Sequence, residues 1–221
     1  MRASFIAGVL GASLVSSHGL ILVTKGANGV NMPGLGVIDG TPRDCSSATC
    51  GAQADSPVIR DSDMTAGGSP LGKTSGGGNI IAAAEIAKFL KTNTKLPTLG
   101  SDNTLDLTYH QVNQDGAGPY QCTYDPTSGG TDPSAFKPCK MTQDVPGTIG
   151  GLSTVTATSF EVKAQLPQGI SCTGQSGGAK NVCVLRIRNT SIAGPYGGSV
   201  AFTTWDTISS PLKVKARKFV A

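Results

Sequence analysis

The sequence predicts a mainly β protein, an antiparallel β-sandwich with long Gly/Pro-rich loops and one short helix. Three observations carry this prediction. The chain holds 30 glycines and 13 prolines with only 14% charged residues, a composition rich in turns. Several short apolar stretches, each bounded by turn residues, read as strands. Only one stretch has helical periodicity. The strand-like stretches are Gly19–Thr24, Thr104–His110, Ser159–Gln165, Val182–Asn189 and Ser199–Thr204. Within Ser159–Gln165, Phe160, Val162 and Ala164 alternate with polar residues, as in a half-buried strand. The helix is predicted over Ile80–Lys91, where Ile80, Ala84, Ala87 and Lys91 share a face and Asn79 is placed to cap it. Residues 26–78 and 112–158 read as loops. There is no internal repeat and no linker, so short strands joined by turns favour one sandwich.

Residues 1–17 have the plan of a secretory signal: Arg2, an apolar stretch from Phe5 to Val15, then small residues before His18. The predicted organisation is a signal over 1–17 and one domain over 18–221, long enough to bury a real core. No later run reaches membrane-spanning length, so no membrane association is expected after cleavage. Loss of Arg2 leaves 17 basic against 14 acidic residues, which says little about partners. Lys213, Lys215, Arg217 and Lys218 cluster near the C-terminus without an aromatic platform. They read as a solvated tail, and no nucleic-acid partner is expected. Six cysteines in a secreted chain predict three disulfides. Of the 15 possible connectivities the local one, Cys45–Cys50, Cys122–Cys139 and Cys172–Cys183, is favoured because each bridge would pin a loop. A zinc site would need CxxC-type spacing, which is absent.

Cleavage after Ser17 would make His18 the first residue of the mature protein. A terminal histidine chelates a metal through its α-amine and its own Nδ1. His110, the only other histidine, would supply a third nitrogen. Three nitrogens in a near-planar set suit Cu(II), and the amine, with an ordinary pKa of about 7.7–8.0, deprotonates easily. His110 closes the strand Leu105–His110 before a Gly/Pro loop, which places its imidazole at the sheet rim. The alternative is a half-buried histidine satisfied by hydrogen bonds. Tyr196, between Pro195 and Gly197-Gly198, is the candidate for an axial, catalytic position, against the simpler reading of a ring packed under a loop; Phe202 reads as core.

Other motifs carry less. Gly67 to Thr74 satisfies GxxxxGK[ST], but polar residues precede it and Gly76-Gly77-Gly78 follow, so the match is accidental. Glu85 and Glu161 are the only glutamates, and nothing suggests a paired acid and nucleophile. Asp39, Arg43, Asp44, Asp55, Arg60 and Asp61 read as structural ion pairing or as a contact surface. Asn189-Thr190-Ser191 is a glycosylation sequon that its flanking strand is placed to bury.

The run from His18-Gly-Leu through Gly26-Ala-Asn-Gly-Val-Asn-Met-Pro-Gly-Leu and Asp39-Gly-Thr-Pro-Arg-Asp-Cys45 to Ile59-Arg-Asp61 resembles the Gas/Mas family of fungal proteins. These are associated with appressoria, the penetration organs of pathogens. The resemblance spans nearly all of the mature chain. It implies a secreted virulence protein, at the host interface or fungal wall, with an intracellular pool in the appressorium before release. A more distant resemblance is to lytic polysaccharide monooxygenases, which share an N-terminal histidine, a second histidine and an immunoglobulin-like sandwich. It implies copper at His18 and His110, Tyr196 on the axial side, and oxidative cleavage of a cell-wall or cuticle polysaccharide by a monomer. Ser199 stands where those enzymes often carry a cysteine three residues after the tyrosine, and Gly194 where some carry a glutamine. Two expectations follow: a copper-dependent oxidase, or a non-catalytic secreted protein that binds copper or glycans.

Overall fold

The computed structural model describes residues 18–64 and 68–204. The predicted signal, most of the formal phosphate-loop glycines' approach (65–67) and the C-terminal lysine cluster lie outside the described residues. Among the described residues eleven strands form: β1 (Gly19–Lys25), β2 (Asn31–Pro33), β3 (Lys73–Thr74), β4 (Gly78–Asn79), β5 (Thr104–Gln111), β6 (Gln121–Asp125), β7 (Lys137–Gln143), β8 (Thr158–Gln165), β9 (Gly174–Ser176), β10 (Ala179–Arg188) and β11 (Gly197–Phe202). Two short α-helices accompany them where one was expected, α1 (Asp61–Met64) and α2 (Ala82–Phe89).

Nine strands make one antiparallel sheet in the order β11-β10-β6-β7-β8-β5-β1-β2, with β9 paired to β10. The sheet curls until its two ends meet: the Leu35 N–H donates to the Ser199 carbonyl at 2.8 Å. Only glycine fits at 198, since a Cβ there would lie 2.9 Å from the Ile21 nitrogen. The inside of the curl is filled by Ile21, Leu105, Leu107, Tyr109, Leu185, Ile187, Val200 and Phe202. Each such side chain contributes roughly 1.5–3 kcal/mol by leaving water.

The period of two then explains the outer layers. Along β10, Cys183, Leu185 and Ile187 face inward, while Val182 and Val184 face out and are covered by Ile80, Ala82 and Ile86 around α2. Along β1 and β5, Ile21 and Tyr109 face inward. Leu20 and Val112 face out, under Ala52, Val37 and the Cys45–Cys50 loop. This covered outer face of β1 and β5 positions the two histidines.

The mainly β, antiparallel expectation holds, and all five strand stretches form within a few residues of their expected bounds. The three disulfides have the local connectivity. Three details are corrected. The predicted helix shortens to Ala82–Phe89. Its N-cap is Ile81, which makes no side-chain cap bond, while Asn79 pairs with Lys73 in the β3–β4 hairpin. Residues 26–78 and 112–158 are not all loop, since β2, α1 and β3 lie in the first span and β6 and β7 in the second. Strand β7, Lys-Pro-Cys-Lys-Met-Thr-Gln, is largely exposed, with only Cys139 and Met141 turned toward the core, so its pairing with β6 and β8 decides its conformation. Lys73–Thr74 form a strand, not a helix start, in keeping with the reading of the GxxxxGK[ST] match as accidental.

Candidate metal centre

Strand register brings the histidines together. Leu20 pairs with His110 and Gly19 with Gln111, and the Val112 N–H donates to the His18 carbonyl at 2.9 Å. His18 therefore stands opposite Val112, with His110 two residues earlier on the same strand and the same face. Diagonal neighbours of this kind have Cα atoms about 7–8 Å apart, within reach of long or aromatic side chains.

His110 is buried, 2% exposed, rather than projecting from the rim as its place near the strand end implies. The reason is the covering loop: residues 37–55 fold over the outer face of β1 and β5. Ser159, directly opposite on β8, lies 3.0 Å from His110 Nδ1. A proton on Nδ1 donated to Ser159 leaves the lone pair on Nε2. That Nε2 is buried and has no hydrogen-bond partner among the described residues. Burial holds the His110 pKa below the ordinary value of 6.5, the Arg43 charge lowers it further, and Asp55 opposes both. The imidazole is thus neutral near pH 7, the form a metal requires.

Arg43 and Asp55 form the charged floor of this region. Asp55 is fully buried and accepts from both guanidinium nitrogens of Arg43, at 2.9 and 2.5 Å, and from the Ile38 N–H at 2.9 Å. The structural reading of these two residues is the correct one. Arg188 likewise pairs with Asp61.

His18 is half-buried. Its main-chain nitrogen donates to Asn113 Oδ1 at 2.5 Å, and its ring lies 5.2 Å from that of Tyr196, tilted by 44°. Tyr196 is 3% exposed. Its N–H donates to Asn189 Oδ1 at 3.0 Å and its carbonyl accepts from the Asn189 N–H at 2.8 Å. The ring folds back over Gly194, where a Cβ would stand 2.6 Å from Tyr196 Cδ2. Arg60 Nε fixes that turn by donating to the Gly194 carbonyl at 3.0 Å. Structure thus brings His18 beside Tyr196 and sets His110 on the same face as His18. Phe202 is core, as expected.

Asn113, Ser159 and Asn189 are the supporting residues that sequence reasoning did not assign to the site. The Asn189 amide donates to the Asp115 and Ala117 carbonyls at 2.9 and 3.0 Å, and its oxygen accepts from Ser191 and Tyr196. At 1% exposure it cannot carry a glycan in the folded protein, so the sequon is structural. No three His, Cys, Asp or Glu side chains converge on a point among the described residues. A metal here would need the main-chain nitrogen of His18 as its third donor, with the two imidazoles. The donor set, and the partnerless Nε2 of His110, fit such an ion. Of the two glutamates, Glu161 pairs with Lys25 on the sheet surface and Glu85 lies in the first turn of α2. A separate recess of about 280 Å³ between β2 and α2, lined by Met32, Leu35, Glu85 and Phe89, contains neither histidine.

Comparison with known proteins agrees with the resemblance to the Gas/Mas family. Residues 16–197 match the family described as Egh16-like virulence factor. The chain is 40% identical to the appressoria-specific virulence factor GAS2 of Pyricularia oryzae, over 87% of this chain and 85% of that protein. It is 35% identical to the appressoria-specific virulence factor GAS1 of the same fungus, over 91% of this chain and 77% of that one. No solved structure matches. The matched segment runs from just before His18 through Tyr196, so the strands and loops that build the site belong to what is shared: this chain is a member of the Egh16-like virulence factor family.

Proposed function

We propose that the mature protein is a secreted virulence factor that begins at His18 and binds copper at that terminus. The names of its relatives support a role in appressorium-stage infection, and three bridged cysteine pairs suit an oxidising compartment. The observation that carries the metal reading is His110, buried with Nδ1 on Ser159 and Nε2 without a partner, on the face it shares with His18. His18 would contribute its freed amine and ring nitrogen, His110 its Nε2. Ser159 would hold the His110 tautomer, as outer-shell partners of metal-binding histidines do. Asn113 would accept a hydrogen bond from the amine and orient its lone pair. Tyr196, against the His18 ring, would limit access to the ion. Copper bound there would supply one-electron chemistry with dioxygen or peroxide, suited to hydrogen abstraction from a sugar C–H. On this reading the curled sheet serves as a sandwich-like support, and a cell-wall or cuticle polysaccharide is the substrate.

A second reading, copper or glycan binding without catalysis, is favoured by the burial of both His110 and Tyr196. Mass spectrometry and copper titration of the secreted protein test the shared part: a terminus at His18 and one tight copper with nitrogen couplings are expected. A different terminus, or no copper affinity beyond that of a blocked N-terminus, overturns it. Oxidised oligosaccharides released from chitin or glucan with copper and a reductant would reject the non-catalytic reading.

A further inference from the structure

Among the described residues, five large hydrophobic side chains stand exposed, and four of them lie on two loops: Ile149, Leu152 and Val155 on one, Ile192 on the other. Ile149 is 90% exposed and Ile192 fully so. Leaving such side chains in water is unfavourable, and clustered exposure marks a contact surface rather than chance.

The loops are built as one rim. The Gly150 N–H donates to Thr190 Oγ1 at 3.2 Å, joining the two tips. The Gly151 N–H returns to the Thr148 carbonyl, and the Gly194 N–H to the Ser191 carbonyl, closing a tight turn under each isoleucine. Gly150 and Gly151 have φ of 96° and 74°, so glycine is needed to turn the first tip outward. Behind the tips, Ser153 donates to the Gln114 carbonyl, and Asn189 ties the second loop to Asp115 and Ala117. The aliphatic side chains are held out, not left loose.

Their chemistry selects the occupant. Segments 145–157 and 189–195 contain no Asp, Glu, Lys, Arg or His, and the neighbouring cation, Arg60, turns its guanidinium back onto the Ala193 and Gly194 carbonyls. They contain no aromatic residue either, which removes the usual platform for stacking on sugar rings. Isolated aliphatic tips separated by Gly, Ser and Thr suit insertion among hydrocarbon chains better than a flat protein contact. We propose that the 148–155 and 189–194 loops form an interfacial docking surface that inserts Ile149 and Ile192 into an uncharged acyl or hydrocarbon layer. The claim does not rest on copper.

Partition of the full mature protein onto trioctanoylglycerol droplets, measured in EDTA, tests it. The double variant Ile149→Ser/Ile192→Ser should lose at least about tenfold in partition per isoleucine, with an unchanged melting temperature, because both side chains are already in water. Ile81→Ser, an exposed isoleucine before α2, should partition like wild type, and 1 M NaCl should not release the protein. Equal partition of wild type and double variant overturns the proposal. So does an equal loss in Ile81→Ser, binding only to anionic vesicles with release by salt, or a concentration-dependent dimer that the double variant abolishes without any droplet binding.

Discussion

At the scale of single residues, His110 links stability to chemistry. Its imidazole titrates near 6.5 in the unfolded chain and lower in the fold. Between those two values the unfolded chain takes up a proton that the native protein refuses. The metal-free protein therefore has its full stability above about pH 6.5 and loses part of it as pH falls through the folded value. Urea unfolding between pH 7.5 and 5 should show this decline, and His110→Gln should flatten it. Ser159→Ala separates a positioning role from a packing one. Loss of a single hydrogen bond costs about 1 kcal/mol, whereas loss of an outer-shell partner should weaken copper binding roughly 10–100-fold. Calorimetric titration and melting of the same variant read the two effects; an unchanged copper affinity with a lower melting temperature would leave Ser159 purely structural. The pairing of two scarce histidines was legible in the sequence. Burial of His110 was not, because it depends on residues 37–55 folding across β1 and β5 from more than fifty positions away.

At the scale of elements, the Asp125 turn closes the C-terminal end of β6. The Asp125 carboxylate accepts from the N–H groups of Thr127, Ser128 and Gly130 at 2.8, 2.8 and 2.7 Å and from the Ser128 hydroxyl at 2.5 Å. Burial alone would push its pKa up, but these bonds outweigh burial and hold it below the ordinary 3.8. Its contribution is present above the unfolded value and is lost as pH falls through the folded one. Asp125→Ala should cost roughly 2–3 kcal/mol, since several donors to a charged acceptor lose it at once, and protease cutting after residue 126 should accelerate. The strongly patterned strands β1, β5, β8, β10 and β11 could be read directly from alternation or apolar runs. Strand β7 could not, because its exposed lysines and Pro138 resemble a loop until Cys139 is seen opposite Cys122. The helix cap failed for a related reason: the β3–β4 pairing claims Asn79, and Ile80 leaves the helix to pack against Leu71 and Val184.

At the scale of the whole molecule, the three bridges differ in reach, with separations of 5, 17 and 11 residues. In the chain-entropy account longer loops gain more, about 3 kcal/mol for a 15-residue loop. Replacing Cys122 and Cys139 together by alanine should therefore lower the melting temperature more than replacing Cys45 and Cys50. The sheet order gives the terminus its own dependence on the rest. β1 lies between β2 and β5, and its neighbourhood also includes β11 near the end of the described chain. A variant with residues added before His18 should keep its fold and melting temperature but lose the tight copper. None of the bridges interleaves with another, and this has a meaning for biogenesis. If the chain is exported as proposed and enters an oxidising lumen N-terminus first, each cysteine would meet its correct partner before the next pair emerges. Oxidation in order of appearance yields the native set, so the protein should mature with little call on disulfide isomerases, even when large amounts are exported at once.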